Sequence, residues 1–201
     1  MGGVYLFQPL TKKDTVTVVL YRIGIALSSV IIAILAYVLS SPSYYQNDIT
    51  ISMKFDILLI SLYMSVGLSV FTIHLYVSKF KRFLKKLYYL SAVFLIILFI
   101  IGKGDVLGVL IDKPFGTILL IPLSGCIGFI TAKEAFCFKL FEGYLLTLIM
   151  PLYLLLLSMG SLTMQGVSLG IIIIALMLIL FTFRKVFMPL HYDIGDKSAY
   201  T

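Results

Sequence analysis

Long apolar segments separated by short polar connections make up most of the chain. A membrane-spanning helix needs about 20 apolar residues, with a range of about 17–25. Candidate segments lie at about 16–39, 57–76, 87–101, 115–131, 144–158 and 167–183. Their connections are too short to hold a separate soluble domain. The pattern therefore predicts an all-α membrane protein, in which residues 1–201 form a single polytopic bundle of about six transmembrane helices with short loops.

Composition leads to the same fold class. Hydrophobic residues make up 61% of the chain and charged residues only 12%, and the mean hydropathy is +1.10. A soluble domain carries roughly a quarter charged residues, because its surface must stay hydrated. The first apolar segment also exceeds the 7–15 residues of a signal-peptide core, so we expect it to be retained as the first span.

The basic residues predict the orientation of this bundle in the membrane. Only Lys54, Lys103 and Lys113 fall on one side of the predicted spans. The other thirteen fall on the opposite side: Lys12, Lys13, Arg22, Lys79, Lys81, Arg82, Lys85, Lys86, Lys133, Lys139, Arg184, Lys185 and Lys197. The positive-inside rule therefore places both termini in the cytoplasm, or in the stroma if the membrane is a thylakoid. The same distribution accounts for the net charge of +7 without nucleic acid as a partner.

Small residues recur at the spacing that lets membrane helices approach closely. The spaced pairs and triplets are Ser61, Ser65 and Ser69, then Ser124 and Gly128, then Gly166 and Gly170. Such residues allow backbone contact where lipid removes the hydrophobic drive between helices. Packing inside one chain is the favoured interpretation, and homodimer formation is the alternative.

A basic strip precedes the third predicted span. If the segment is helical, Lys81, Arg82, Lys85 and Lys86 share one face. Apolar side chains occupy the other face: Phe80, Phe83, Leu84 and Leu87. Such a strip suits anionic lipid head groups, which attract each basic residue by about 1 kcal/mol. The alternative is that the strip only fixes the topology.

The connection between the fourth and fifth spans combines aromatic and charged residues. This segment, called the elbow below, has the candidate site residues Lys133, Glu134, Phe136, Cys137, Phe138 and Phe141. A helix would place Glu134, Cys137, Phe138 and Phe141 on one side. A structural turn is the favoured interpretation, ahead of a partner-docking surface and a ligand or ion site. On this interpretation, truncating the phenylalanines should be more damaging than changing Glu134 or Cys137.

Recognisable catalytic signatures are missing from the sequence. It holds no phosphate-binding loop, zinc-protease motif, nucleophile elbow or paired-cysteine metal site. We therefore expect no enzyme activity, no cofactor and no metal. His74 is interpreted as a hydrogen-bonded histidine near the membrane interface. Arg22, several residues into the first span, is interpreted as a side chain that extends to the interface.

Two strings support a resemblance to a known family. The run Lys133-Glu-Ala-Phe-Cys-Phe138 and the tail Asp193-Ile-Gly-Asp-Lys-Ser198 are unusual, and a Leu-Thr-x-x-x-Pro-Leu pattern starts at Leu146. With these the chain resembles an uncharacterised integral membrane protein family of cyanobacteria and plant plastids, domain of unknown function 2301. The resemblance implies a multi-span bundle in the membrane of a photosynthetic organism. It implies no catalytic residues.

Two functional hypotheses lead from the sequence, and a membrane enzyme, with Glu134, Cys137 and His74 as its only plausible catalytic residues, comes third. The first is a non-enzymatic scaffold, assembly or accessory component of a photosynthetic or plasma membrane, with anionic lipids and a membrane protein complex as partners. The second is a small-molecule or ion transporter or channel. Pro151 favours the second, because a proline within a span can free backbone carbonyls. The scarcity of acidic residues within the spans disfavours it.

Overall fold

The computed structural model describes residues 11–40 and 49–194, which fold into helices joined by short turns. In chain order these are α1 (Lys12–Ser40), α2 (Ile49–Thr72), α3 (Ser78–Gly102), α4 (Val106–Asp112), α5 (Pro114–Ile118), α6 (Ile121–Phe138), α7 (Phe141–Ser158) and α8 (Met164–Val186). A 3₁₀ helix, Leu190–Asp193, follows α8. Within these described ranges, six segments are long and apolar enough to cross a membrane. The predicted all-α membrane fold is confirmed.

Several predicted boundaries differ from those observed. The second span ends at Thr72 rather than Tyr76, and the third begins at Ser78, so the basic strip is the start of α3. Lys and Arg are good helix formers, so a basic cluster need not end a helix. The fourth span continues to Phe138 and includes two helices, α5 and α6. The fifth does not break at Pro151, because α7 continues through that residue.

The helix α1 packs against both α2 and α8. Its contact with α2 is close because Gly24 faces Ser69, and a Cβ atom at position 24 would lie 2.3 Å from the Ser69 hydroxyl. The hydroxyls of Ser28 and Ser65 are 2.8 Å apart across this contact. Ser65 and Ser69 therefore pack inside the chain, as expected for small residues at this spacing.

The same close packing joins the later helices. The hydroxyl of Thr147 in α7 donates to the carbonyl of Gly128 in α6 at 2.9 Å. A Cβ atom at Gly170 in α8 would lie 2.4 Å from the ring of Tyr153 in α7. Both glycines belong to the predicted small-residue pairs and here allow close contact between helices of the same chain.

Two short helices interrupt the path between the third and fourth spans. Asp105 begins α4, where its carboxylate accepts from the amide of Gly108 at 2.9 Å. Pro114 occupies the first turn of α5, where its missing amide hydrogen costs no helix hydrogen bond. Val106, Leu107 and Val109 are buried, so α4 packs into the bundle rather than lying on its surface.

The bundle has two contrasting ends. One, called the charged end below, contains the start of α1, the ends of α6 and α8, and the 3₁₀ helix. The other, called the cavity end below, contains the end of α1, the helices α4 and α5, and the connection from α7 to α8. Buried ion pairs lie at the first end, and an apolar cavity lies at the second.

Candidate functional site: a buried charge cluster

Five charged side chains come together inside the charged end. They are Arg22 from α1, Lys133 and Glu134 from α6, Lys185 from α8 and Asp193 from the 3₁₀ helix. The side chains of Glu134 and Lys185 are completely buried. Charged side chains are rarely buried unless they are paired. This charge cluster is the most unusual feature of the described residues.

Ion pairs join the five side chains into one chain of contacts. The ammonium groups of Lys133 and Lys185 lie 2.6 Å and 2.5 Å from the two carboxylate oxygens of Glu134. Lys185 also contacts the carboxylate of Asp193. The guanidinium of Arg22 completes the series, with its Nη2 atom 2.5 Å from the second oxygen of Asp193. Three cations and two carboxylates leave the cluster with one net positive charge.

Aromatic rings enclose the centre of the cluster. The hydroxyl of Tyr21 donates to Glu134 at 2.6 Å. The ammonium of Lys185 lies 4.0 Å from the centroid of the Phe138 ring, which in turn stacks on Tyr192 with centroids 6.2 Å apart. Cation–π contacts of this kind strengthen when water is excluded. The rings therefore shield the ion pairs from water and add attraction of their own.

Arg22 fastens the end of α8 to α1. Its Nη1 atom donates to the carbonyls of Val186 and Met188, and its Nη2 atom donates to the carbonyl of Pro189 at 3.0 Å. The last carbonyls of a helix have no partner within the helix and carry partial negative charge. Arg22 satisfies carbonyls at this terminus and is buried. The Arg22 side chain is therefore paired inside the protein.

The elbow is a sharp turn between two helices. The helix α6 ends at Phe138, Lys139 adopts a left-handed conformation with φ of 54°, and α7 begins at Phe141. Phe141 therefore lies on a different helix from Glu134, and the prediction that they share a helical face is wrong. The left-handed residue ends α6 in the usual way for a helix terminus.

The candidate residues of the elbow separate into a buried and an exposed set. Glu134 and Phe138 point into the charge cluster, and the Lys133 side chain is largely buried beside them. Phe136 and Phe141 are 80% and 68% exposed, and Cys137 is exposed as well. The structure thus brings half of the predicted set into one cluster and leaves the other half on the surface.

A comparison with protein families covers four of the five residues of the charge cluster. A family model described as "Uncharacterized integral membrane protein (DUF2301)" matches residues 68–201, which is two thirds of the chain. The chain belongs to the DUF2301 family. Lys133, Glu134, Lys185 and Asp193 lie inside the matched region, whereas Arg22 lies before it. Comparisons with curated proteins and with solved structures find no match.

The basic strip of the DUF2301 chain forms the first turns of α3. Arg82 and Lys86 are exposed, whereas Lys81 and Lys85 are half-buried. The ammonium of Lys85 lies 5.6 Å from the centroid of the Phe71 ring. On the apolar side Leu84 is fully buried. The strip is therefore an amphipathic helical segment, as the sequence predicted.

The two remaining candidates for chemistry in the DUF2301 chain are His74 and Cys137. His74 lies between α2 and α3, and its Nε2 atom is 2.8 Å from the hydroxyl of Thr17. The predicted hydrogen-bonded histidine is confirmed. Within residues 11–40 and 49–194, no three His, Cys, Asp or Glu side chains are placed to bind a metal ion together.

Sequence reasoning missed three members of the charge cluster, Arg22, Lys185 and Asp193, as a site. Arg22 stood out as a charge within an apolar segment, and Asp193 stood in one of the strings that carry the family resemblance. Lys185 was counted only as a topology signal. Arg22 and Asp193 are 171 residues apart in the sequence, and Lys185 and Glu134 lie on different helices, so sequence periodicity cannot reveal these contacts.

Proposed function

We propose that this DUF2301 protein is a non-enzymatic accessory component of a plasma or photosynthetic membrane, which docks a neighbouring membrane protein at its charged end. In this proposal both termini and the charged end face the cytoplasm or stroma. The main support for this proposal is the structure of the elbow, whose interior is held by buried ion pairs and whose exterior presents exposed aromatic rings.

The interior of the elbow is held by strong contacts. Glu134 is paired with Lys133 and Lys185, and Phe138 lies between Lys185 and Tyr192. Breaking such a buried ion pair by removing one partner costs about 3–5 kcal/mol. The turn that follows Phe138 is therefore fixed in position before any partner arrives, which lowers the entropic cost of docking.

The exterior of the elbow offers an apolar contact surface. Phe136 and Phe141 are exposed on either side of the turn. Phenylalanine presents a large apolar area and loses few rotamers on burial, so exposed rings are effective anchors in interfaces. Arg184 extends the surface with a polar group, because it pairs with Glu142 at 2.8 Å and remains half-exposed.

The basic strip supports lipid contact next to this surface. Lys79 and Lys81 lie in the first turn of α3, which contains no acidic residue. The N-terminus of a helix carries partial positive charge, so cations there are unfavourable by about 0.3–1 kcal/mol each. Anionic head groups would offset this repulsion, so we include anionic lipids among the partners.

Cys137 gives a direct test of docking. It is exposed next to Phe136, whereas Cys126 is fully buried, so a thiol-directed photo-crosslinker should attach at Cys137. In native membranes we expect a discrete protein adduct from this position. Phe136→Ala combined with Phe141→Ala should remove the adduct at normal abundance of the protein, because the two rings supply the apolar contact.

The matched control is Phe115→Ala, which removes a half-exposed ring at the cavity end. It should leave the Cys137 adduct unchanged. Adducts with lipid alone, or a protein adduct that persists in the double variant, would contradict the docking proposal.

A transporter or channel is the second candidate. The charge cluster favours it, because ionisable groups buried within membrane helices commonly mark ion pathways. The helix α7 continues through Pro151, so the fifth span is not broken there, and the proline frees only the carbonyl four residues earlier from its helix hydrogen bond. Ion conductance of the purified wild-type protein in planar bilayers would favour this candidate over the accessory role, and absence of conductance would disfavour it.

A further inference from the structure

An apolar cavity of about 350 Å³ lies inside the cavity end. Its walls come from α1, α2, α4, α5, α6, α7 and α8, and none of the lining side chains is charged. The residues of α1 and α2 that line the cavity, such as Leu35 and Leu59, lie in the half of each helix that is farther from the charge cluster. The cavity is therefore separate from the charge cluster and from the elbow.

Two of the three hydroxyl groups in the wall of this cavity donate to backbone carbonyls of the protein. The hydroxyl of Tyr153 donates to the carbonyl of Val167 at 2.8 Å. The hydroxyl of Ser124 donates to the carbonyl of Ile121, also at 2.8 Å. A water molecule in a cavity needs two to four polar partners. With these donors committed, the cavity favours an apolar occupant over water.

The shape of the cavity depends on specific packing. Tyr153 sits against α8 because position 170 is a glycine, where a Cβ atom would lie 2.4 Å from the ring. Leu107 and Leu110 of α4 and Leu120, just before α6, line the cavity where the chain passes between short helices. Interrupted helices in membrane proteins are tolerated where they line a cavity, and they commonly mark binding sites.

We propose that this cavity holds an apolar hydrocarbon chain, supplied either by the acyl chain of a membrane lipid or by an isoprenoid chain. An apolar cavity of about 150 Å³ in a soluble protein stays dry and binds benzene. The present cavity has more than twice that volume, so it accommodates a longer apolar group. The lining residues lose their dispersion contacts if the cavity stays empty, and lipid chains are the apolar groups that surround the spans.

Photo-labelling of the purified full-length chain tests the site and distinguishes the two sources. One arm uses a diazirine derivative of palmitic acid, and the other uses a diazirine derivative of geranylgeraniol. Labelled positions are mapped by peptide mass spectrometry, with and without an excess of the same chain lacking the diazirine. We expect saturable labelling of cavity-lining residues that the excess chain lowers about tenfold, as for a site of limited capacity.

Two matched substitutions in α7 separate the cavity from general lipid contact. Leu154 lines the cavity, whereas Leu148 is 69% exposed on the outside of the same helix. Leu154→Trp should fill the cavity and lower lining-residue labelling about tenfold, because the larger side chain occupies the space of the ligand. Leu148→Trp should leave that labelling unchanged.

The outcomes of the two arms are distinct. Competed labelling of the lining by one probe assigns the site to that chain type, and competed labelling by both assigns it to hydrocarbon chains in general. Labelling confined to outward-facing residues, or labelling that excess chain does not lower, overturns the proposal. Competition in the wild-type protein decides the matter even if Leu154→Trp fails to fold. The result is also independent of docking at the elbow.

Discussion

At the scale of single residues, Glu134 connects the parts of the charge cluster. Its carboxylate contacts two ammonium groups and the hydroxyl of Tyr21, although the side chain has no exposed surface. The attraction in such a site is strong because water is excluded, but each buried ion also loses its hydration. Removing one charged side chain therefore leaves its buried partners without an opposite charge beside them.

Glu134→Gln should strongly destabilise the protein. The change leaves three buried cations facing Asp193 alone, and breaking a buried pair in this way costs about 3–5 kcal/mol. The measurement is thermal unfolding of the purified protein in detergent. Glu142→Gln is the matched control: Glu142 is also buried, but its partner Arg184 is half-exposed, so losing this pair leaves no fully buried cation and should cost less than losing Glu134. Equal losses in the two variants would contradict this assignment.

Burial also changes the expected order of damage within the elbow. The sequence alone predicted that truncating the phenylalanines is worse than changing Glu134 or Cys137. With Phe136 and Phe141 exposed and Glu134 buried, we instead expect Glu134→Gln and Phe138→Ala to lower protein abundance. Phe136→Ala, Phe141→Ala and Cys137→Ala should not. Quantitative immunoblotting of membranes checks this order, and low abundance of Phe136→Ala would contradict it.

His74 should make stability depend on pH. Burial, assisted by the nearby positive charge of Lys81, lowers the pKa of His74 below its ordinary value. The unfolded chain therefore binds a proton near pH 6.5, about the ordinary pKa of histidine, before the folded protein does. Stability is fully present above that pH and falls as the pH decreases toward the folded pKa.

Thermal unfolding between about pH 8 and pH 5 measures this effect, with the slope set by proton uptake. His74→Gln keeps a side chain that can hydrogen-bond to Thr17 but removes the titration, so it should flatten the curve in this range. An unchanged curve in the variant would show that other groups cause the dependence.

At the scale of elements, α3 combines a basic segment with an apolar one. Its 25 residues begin with the basic strip and continue as an apolar segment long enough to span a membrane. The same helix thus carries cations in its first turns and apolar side chains in the rest. Leu84, fully buried within the strip, packs the basic segment against the bundle, so the strip has a fixed position.

Replacing Lys81, Arg82, Lys85 and Lys86 together with Gln should weaken the retention of anionic lipid. Each basic residue near an anionic surface contributes about 1 kcal/mol of attraction. Lipids that co-purify with the protein in mild detergent are measured by mass spectrometry. The control checks the orientation of the same variant, and unchanged lipid with unchanged orientation would leave the strip as ordinary solvated surface.

At the scale of the whole molecule, the two ends of the bundle hold different chemistry. The charged end joins α1, α6, α8 and the 3₁₀ helix through ion pairs, and the cavity end encloses apolar space between helices. Charged groups are tolerated near the membrane surface more readily than at its centre. An arrangement with ion pairs at one end and apolar space at the other therefore suits a bundle that crosses the membrane.

Reporter fusions test the orientation of this bundle. Fusions after Lys86 and after Thr201 should read cytoplasmic, and a fusion within Gln46 to Lys54 should read as the opposite side. The physical reason is the excess of Lys and Arg on the charged side, which is retained in the cytoplasm during insertion. One reversed reporter in this set would contradict the six-span orientation.

The sequence by itself determined the fold class and the existence of the six spans, because hydropathy and length are local properties that the lipid environment imposes on each segment. It also marked the elbow and the basic strip. The continuation of α3 through the strip, the division of the elbow into buried and exposed rings, and the partners of Glu134 were decided by tertiary structure. Arg22, Lys185 and Asp193 meet only when α1, α8 and the 3₁₀ helix pack together, since ion pairing depends on distance in space and no periodicity along the chain encodes it.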